Sequence, residues 1–221
     1  WPLVTIVGPT ASGKSALALR LAEEIGGEIL NCDSVQVYRH LDIGSGKVPL
    51  EWRKRVPHHL LDIAFPDEDF DAGDYRRKAE EVLQEVRSRR QLPFVVGGTG
   101  FYLRALLMGL FESPVRSDSL RKRLVDLMEN KGRPYLHRIL ARLDARSAES
   151  IQPNDAQKVI RGLEVCLLAR QRMSDLQDHG RRPLTGFDVI ELGLNPPRSQ
   201  LVRRIEQRVA TMFEAGLVSE V

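Results

Sequence analysis

The sequence predicts an α/β fold, a mostly parallel sheet flanked by helices, interrupted by an all-helical insertion. Three observations lead there. Short strand-like runs at Leu3–Val7, Glu28–Asn31, Pro93–Val96 and Asp188–Leu194 alternate with helical patterns towards the two ends of the chain. From Ser113 onward, helical patterns follow one another with no strand between them. And Gly8–Ser15, reading GPTASGKS, joins the first apolar run to the first helical pattern with the spacing of a phosphate-cradling loop.

Taken in order, Leu3–Val7 (LVTIV) is β-branched and apolar throughout and ends at Gly8, as a buried parallel strand does. Ala16–Ile25 is helical, with Ala16, Leu17, Leu19 and Leu21 apolar and Gly26-Gly27 as the stop. Glu28–Asn31 is a second short strand. Loops rich in Gly, Pro and His follow; His58-His59 has no further ligands at a metal-site spacing and reads as loop structure. Asp74–Arg90 is a long charged helix with Ala79, Val82, Leu83 and Val86 inward. Pro93–Val96 is a strand halted by Gly97-Gly98-Thr99-Gly100, and Phe101–Met108 is helical. The insertion holds helices at Ser119–Glu129, Pro134–Leu143 and Ala156–Arg170, after which Asp188–Leu194 restores a strand and Arg198–Ala215 a helix. The expected division is a phosphate-loop core at 1–114, a helical insertion at 115–185, and the core continued at 186–221.

A length of 221 residues with 42% hydrophobic and 29% charged residues supports a packed core. No stretch approaches a membrane-spanning length. The chain opens Trp1-Pro2 without a basic-then-apolar leader, so a trimmed, cytoplasmic chain is expected. Cys32 and Cys166 are the only cysteines, too few for a disulfide framework or a cysteine-rich zinc site, and both read as small semi-buried residues. Net charge is only +3, but residues 116–182 hold 15 basic and 9 acidic side chains while the remainder holds 18 and 21. An excess confined to the insertion suits a nucleic-acid surface, and equally an arginine-rich solvated helical domain.

In Gly8, Pro9, Thr10, Ala11, Ser12, Gly13, Lys14 and Ser15 the glycines let the backbone curl so that N–H groups point at phosphate oxygens. The following helix adds its unpaired N–H groups and positive dipole end. Lys14 supplies a full charge, and Ser15 a hydroxyl for Mg2+. Such a loop predicts nucleotide binding, ATP included, without saying which phosphate compound occupies it.

The segments GPTASGKS (8–15), NCDSVQVYRHLDIG (31–44), PHHLLD (57–62), GGTGFYLRALLMGL (97–110) and QPNDAQKVIRGLEV (152–165) occur in this order. Together they make the chain resemble the tRNA dimethylallyltransferase family, also called tRNA isopentenyltransferases. The resemblance runs from first residue to last. It implies a phosphate-loop core with a helical insertion. It also implies transfer of the dimethylallyl group from dimethylallyl diphosphate to N6 of adenosine 37 beside the tRNA anticodon, with Mg2+ as cofactor. Its diphosphate loop falls on Gly8–Ser15, its acidic base and tRNA-reading strip on Asp33, Ser34, Val35 and Gln36, and its active-site threonine on Thr99. A tRNA-contacting arginine falls on Arg121, a second tRNA strip on Gln157, Lys158, Val159, Ile160 and Arg161, and a diphosphate-binding arginine on Arg208. Partners so implied are the anticodon stem-loop and dimethylallyl diphosphate, with no membrane and a monomeric enzyme. Relatives continue past the point matched by Val221 with further helical sequence, so a chain ending there is expected to lack part of the tRNA channel.

The adenine amino group is a weak nucleophile that must be held in line and relieved of a proton. Asp33, just past a strand, is placed to accept it; the competing reading is an aspartate that caps its loop or binds magnesium through water. Thr99 meets the same amino group or a bridging diphosphate oxygen, or else supports the glycine loop. Gln157 and Arg161 share a helix face, opposite an apolar side of Val159, Ile160, Leu163, Cys166 and Leu167. Three other functions fit parts of the pattern: a small-molecule kinase, an adenylate isopentenyltransferase, and a non-catalytic RNA-binding module.

Overall fold

The computed structural model describes residues 1–111, 114 and 116–221, the side chain of His179 excepted. It separates into two compact units, Trp1–Gly109 with Pro183–Val221, and Leu110–Arg182. The expected boundary between 114 and 115 falls at Val115, outside the described residues.

In the first unit the chain runs β1 (Pro2–Val7), α1 (Lys14–Ile25), β2 (Gly27–Asn31), α2 (Leu50–Arg55), β3 (His58–His59), α3 (Ala72–Ser88), β4 (Leu92–Gly97) and α4 (Gly100–Met108). The five-stranded sheet has the order β3-β2-β4-β1-β5, every pairing parallel. Its last strand, β5 (Asp188–Gly193), arrives from beyond the second unit and pairs with β1 in the register Val4↔Ile190. Alternate residues of a strand face opposite ways. Val4, Ile6, Ile29, Phe94 and Val96 accordingly pack with Ala18, Leu19 and Ala22 of α1. Tyr75, Leu83 and Val86 of α3 are buried where that helix meets β2 and β4, and Leu106 is buried on α4, which packs against α3. The helix α3 starts at a capping box in which Asp71 accepts from the Asp74 N–H while Asp74 accepts from the Asp71 N–H.

Among its described residues the second unit is all-helical: α5 (Asp118–Lys131), α6 (Arg133–Leu143), α7 (Ala145–Ser150), α8 (Ala156–Ala169) and α9 (Met173–His179). Leu124, Leu136, Leu140, Val159, Ile160 and Leu163 make its core. Asp144 is buried and accepts four hydrogen bonds, from the N–H and hydroxyl of Ser147 at 3.1 and 2.6 Å and from those of Ser174 at 2.8 Å each. It thereby caps α7 and fastens it to α9. The first unit closes with α10 (Arg198–Glu214) and α11 (Leu217–Glu220). Three sequence expectations need correcting. His58-His59 is an edge strand rather than loop, held by the Ile29↔His58 pairing. Cys32 and Cys166 are buried, not half-buried. Leu167 is 45% exposed, because the buried face of α8 ends at Cys166.

Candidate active site

Three loops leave neighbouring strands at the C-terminal edge of the sheet, where parallel sheets hold their ligands. The phosphate loop follows β1, the segment 97–100 follows β4, and 32–36 follows β2. Gly97 brings the last two together: a Cβ there would lie 2.0 Å from the Cys32 carbonyl oxygen, so no other residue permits the approach.

The phosphate loop curls as its residue types require. Ala11 takes a left-handed φ of 62°, and Gly13 precedes α1 without any side-chain cap, which leaves the first-turn N–H groups of the helix for an anion. Lys14 folds back to donate to the carbonyls of Gly8 and Pro9 at 2.9 and 2.8 Å. Burial draws its ammonium below the ordinary lysine value; the Asp33 carboxylate opposes this and the Arg208 guanidinium adds to it. Lys14, Asp33 and Arg208, predicted from three distant segments, are thus electrostatic neighbours. The Ser12 hydroxyl is buried with no hydrogen-bond partner, and Ser15 stands one residue inside α1.

Asp33 Oδ1 accepts the N–H groups of Val35 and Gln36 at 2.9 and 3.3 Å, the loop-capping role that competed with the base in the sequence. One carboxylate oxygen performs it. Thr99 occupies the N-cap position of α4 yet makes no cap hydrogen bond. Its hydroxyl instead accepts the Ser34 N–H at 2.9 Å and donates to the Ser34 hydroxyl at 3.3 Å, tying the β4 loop to the β2 loop. Val35 is exposed between them. A cavity of about 260 Å³ opens beside this tie, lined by Val7, Gly8, Pro9, Cys32, Val95 and Leu103 along with the Gly97–Gly100 backbone. Burial pushes the Cys32 thiol up to about 12, so it is a wall and not a nucleophile.

Arg208 is seated by features that the sequence did not announce. It donates to the Ser45 carbonyl at 3.2 Å, and Gln36 donates to the carbonyls of Ser45 and Gly46 at 3.2 and 3.3 Å. Gly46 has φ of 60°, and a Cβ there would overlap the Arg208 guanidinium. The turn itself is gripped by Glu220, whose carboxylate accepts the N–H groups of Asp42, Ile43 and Gly44 at 2.7, 2.6 and 2.8 Å. Burial works against ionisation of Glu220, but these N–H groups outweigh it and hold the carboxyl below its ordinary range. Arg204, one turn before Arg208 on α10, donates to the Ala11 carbonyl of the phosphate loop at 3.4 Å. Its four-residue spacing from Arg208 was the available signal.

In the helical unit, Gln157 and Lys158 are exposed and Arg161 is half-buried. Lys158 pairs with Asp155 at 2.6 Å. Val159 and Ile160 are core residues, so within their strip the polar members alone present side chains to solvent. Arg121 and Arg161 converge on a common carboxylate, Glu164.

Among the described residues no group of three or more His, Cys, Asp and Glu side chains is arranged to hold a metal ion.

A glycine-containing strand-to-helix loop at the C-terminal edge of a parallel sheet, with a carboxylate and an arginine beside it, marks an α/β protein whose sheet is flanked by helices. The chain belongs to the IPP transferase family, whose model matches residues 36–221. It is 55% identical over 218 residues to the tRNA dimethylallyltransferase of Koribacter versatilis (strain Ellin345), covering 99% of this chain and 71% of that protein. It is 54% identical to the tRNA dimethylallyltransferase of Solibacter usitatus (strain Ellin6076), across all of this chain and 71% of the relative. Among solved structures, the full-length tRNA isopentenylpyrophosphate transferase of Bacillus halodurans matches with a TM-score of 0.65 at 36% identity, over 99% of this chain and 68% of that one. A eukaryotic dimethylallyltransferase acting on tRNA matches with a TM-score of 0.83 at 29% identity, over all of this chain and 55% of that one.

Proposed function

We propose that this chain transfers the dimethylallyl group of dimethylallyl diphosphate to N6 of adenosine 37 in tRNA, releasing diphosphate. The observation that carries this reading is the largely apolar cavity bordered by the phosphate loop on one side and Thr99 on the other. A kinase needs its acceptor hydroxyl there; a five-carbon allylic group needs apolar walls such as Val7, Val95 and Leu103.

In the transfer, the N6 lone pair attacks the allylic carbon, the carbon–oxygen bond to the diphosphate breaks, and N6 loses one proton. Asp33 takes that proton on the oxygen that does not cap its loop. Thr99 and Ser34, locked together, fix the distance between the two loops that flank the reacting atoms. Lys14, the N–H groups at the start of α1, Arg208 and Arg204 stabilise the charge that grows on the departing diphosphate. The Ser15 hydroxyl and the diphosphate would hold Mg2+, which supplies further charge neutralisation when bound. ATP is a second anion suited to the same loop, and competition between ATP and the prenyl diphosphate measures it.

Arg121, Gln157, Lys158 and Arg161 give the helical unit a basic surface for the anticodon stem-loop, whose bases are splayed out for reading and reaction. Val35, exposed beside Asp33, offers an apolar contact to a flipped base. A monomeric, cytoplasmic enzyme completes the proposal; among the described residues no helix is long and apolar enough to cross a membrane. Incubation with dimethylallyl diphosphate, Mg2+ and unmodified tRNA, followed by mass spectrometry of digested nucleosides, tests it. Prenylated adenosine is expected. Prenylation of free AMP with the tRNA untouched, or phosphate transfer from ATP to a small acceptor, would replace this reading with an adenylate isopentenyltransferase or a kinase.

A further inference from the structure

Glu164 is the one fully buried carboxylate in the helical unit's arginine cluster, with a side-chain exposure of 0%. Its Oε1 accepts the Ser117 N–H at 2.8 Å and Arg121 Nε at 3.1 Å, and its Oε2 accepts Arg121 Nη2 at 3.0 Å. Arg161, one turn earlier on α8, donates Nη1 to the same Oε2 and Nη2 to the Pro114 carbonyl at 3.3 Å. Each arginine side chain is 32% exposed, so neither is wholly enclosed by the cluster. Burial would push the Glu164 carboxyl up, but Arg121, the Ser117 N–H and Arg161 outweigh it and hold the group at about 2.

A buried ion triad is weak as a source of stability, because desolvation cancels much of the attraction. What it does supply is direction. Two arginines on different helices, α5 and α8, are fixed at one spacing, and a guanidinium so fixed loses little entropy on meeting a phosphate. We infer that Glu164 is a positioning residue for RNA binding, clamping Arg121 and Arg161 into a paired fork for consecutive phosphates of the stem-loop. This rests on the reading of the helical unit as the RNA surface.

The sign of one substitution separates positioning from simple charge. Glu164→Gln keeps the size and an acceptor for Ser117 while adding one net positive charge. Electrostatic attraction alone then predicts tighter RNA binding. Positioning predicts weaker binding, by at least about tenfold, appearing as a raised KM for tRNA with kcat at saturating tRNA little changed. Stem-loop affinity is measured on the full chain by fluorescence anisotropy across a salt series, beside dimethylallyl diphosphate affinity and a thermal melt. In an Arg121→Ala/Arg161→Ala background, Glu164→Gln should have no further effect on stem-loop affinity.

If the double arginine variant binds the stem-loop as the parent does, the RNA-surface reading itself fails. If that variant is weakened but Glu164→Gln binds as well as the parent or better, the positioning role is overturned. Glu164→Asp provides the second comparison, keeping the charge but shortening the reach. It should weaken binding without altering net charge, and parent-like affinity would again overturn the inference. Unfolding of both variants would make Glu164 a structural residue and likewise overturn it.

Discussion

The Thr99 hydroxyl accepts the backbone N–H of Ser34 at 2.9 Å, across 65 positions of sequence, from a helix N-cap position where it caps nothing. A threonine there ordinarily contributes about 1 kcal/mol by capping. Here the hydroxyl instead joins the loop after β4 to the loop after β2. Thr99→Ala is expected to cost on the order of 1 kcal/mol in stability and to lower the single-turnover prenylation rate more than this suggests. Thr99→Ser should restore the rate. Equal rates in the alanine and serine variants would show the tie to be irrelevant to the chemistry.

Asp33→Asn isolates proton transfer from loop shaping. The asparagine oxygen can still accept the Val35 and Gln36 N–H groups, so the turn should persist and the melt should shift little. The single-turnover rate should fall by roughly 10²–10⁴-fold. A stable variant at nearly the parental rate defeats the base role.

Lys14→Ala should abolish most affinity for dimethylallyl diphosphate in a chain that still melts cooperatively. The lowered Lys14 pKa adds a pH signature. The charge on the free protein is lost as pH rises, and starts to be lost below the ordinary lysine range. Affinity should therefore decline on the alkaline side earlier than in Lys14→Arg, which stays charged. Calorimetric titrations at several pH values read the difference.

How much of this was legible beforehand divides by kind of information. Local pattern located β1, β2, β4 and helices such as α1, α3 and α8, because each buries one face or a short apolar run, while β5 and α10 carried the pattern without any buried residue. The motif 8–15 predicted a curled loop leading into a helix, and Ala11 with its left-handed φ and the uncapped start of α1 have that geometry. What the pattern could not show were elements too short for periodicity, such as α7, α9 and α11, and contacts across long separations. The seat of Arg208 is an instance: it depends on Gly46, Gln36 and Glu220, and nothing local to any of them signals the others. Glu164 is another. Read alone it is one acid on a charged helix; only the packing of α5 against α8 brings Ser117 and Arg121 to it.

Asp144 makes a stability prediction for the helical unit. Its replacement by alanine leaves two serine hydroxyls and two N–H groups of a buried cluster without their acceptor. A loss of about 2–4 kcal/mol is expected, measured by chemical denaturation. Affinity for dimethylallyl diphosphate at temperatures where the chain is folded should be unchanged, since Lys14 belongs to the other unit.

The Glu164 carboxyl, about 2 when folded against an ordinary 4.5, makes stability fall with acid. Because the folded value is the lower one, the contribution is fully present above pH 4.5 and disappears as pH drops towards 2. Melting temperature plotted against pH should descend through that window, and the descent should be shallower in Glu164→Gln.

Both native thiols are buried, Cys32 just past β2 in the cavity wall and Cys166 on α8, and burial raises the pKa of each. Thiolate is the reactive form, so neither should compete for a maleimide at neutral pH while the chain stays folded. A single cysteine placed at the exposed Gln157 would then take a fluorophore selectively without removing the natural pair. The chain comes ready for site-specific spectroscopy: a reporter on α8 can follow RNA arrival in real time, and accelerated labelling of the two silent thiols registers the moment either unit opens.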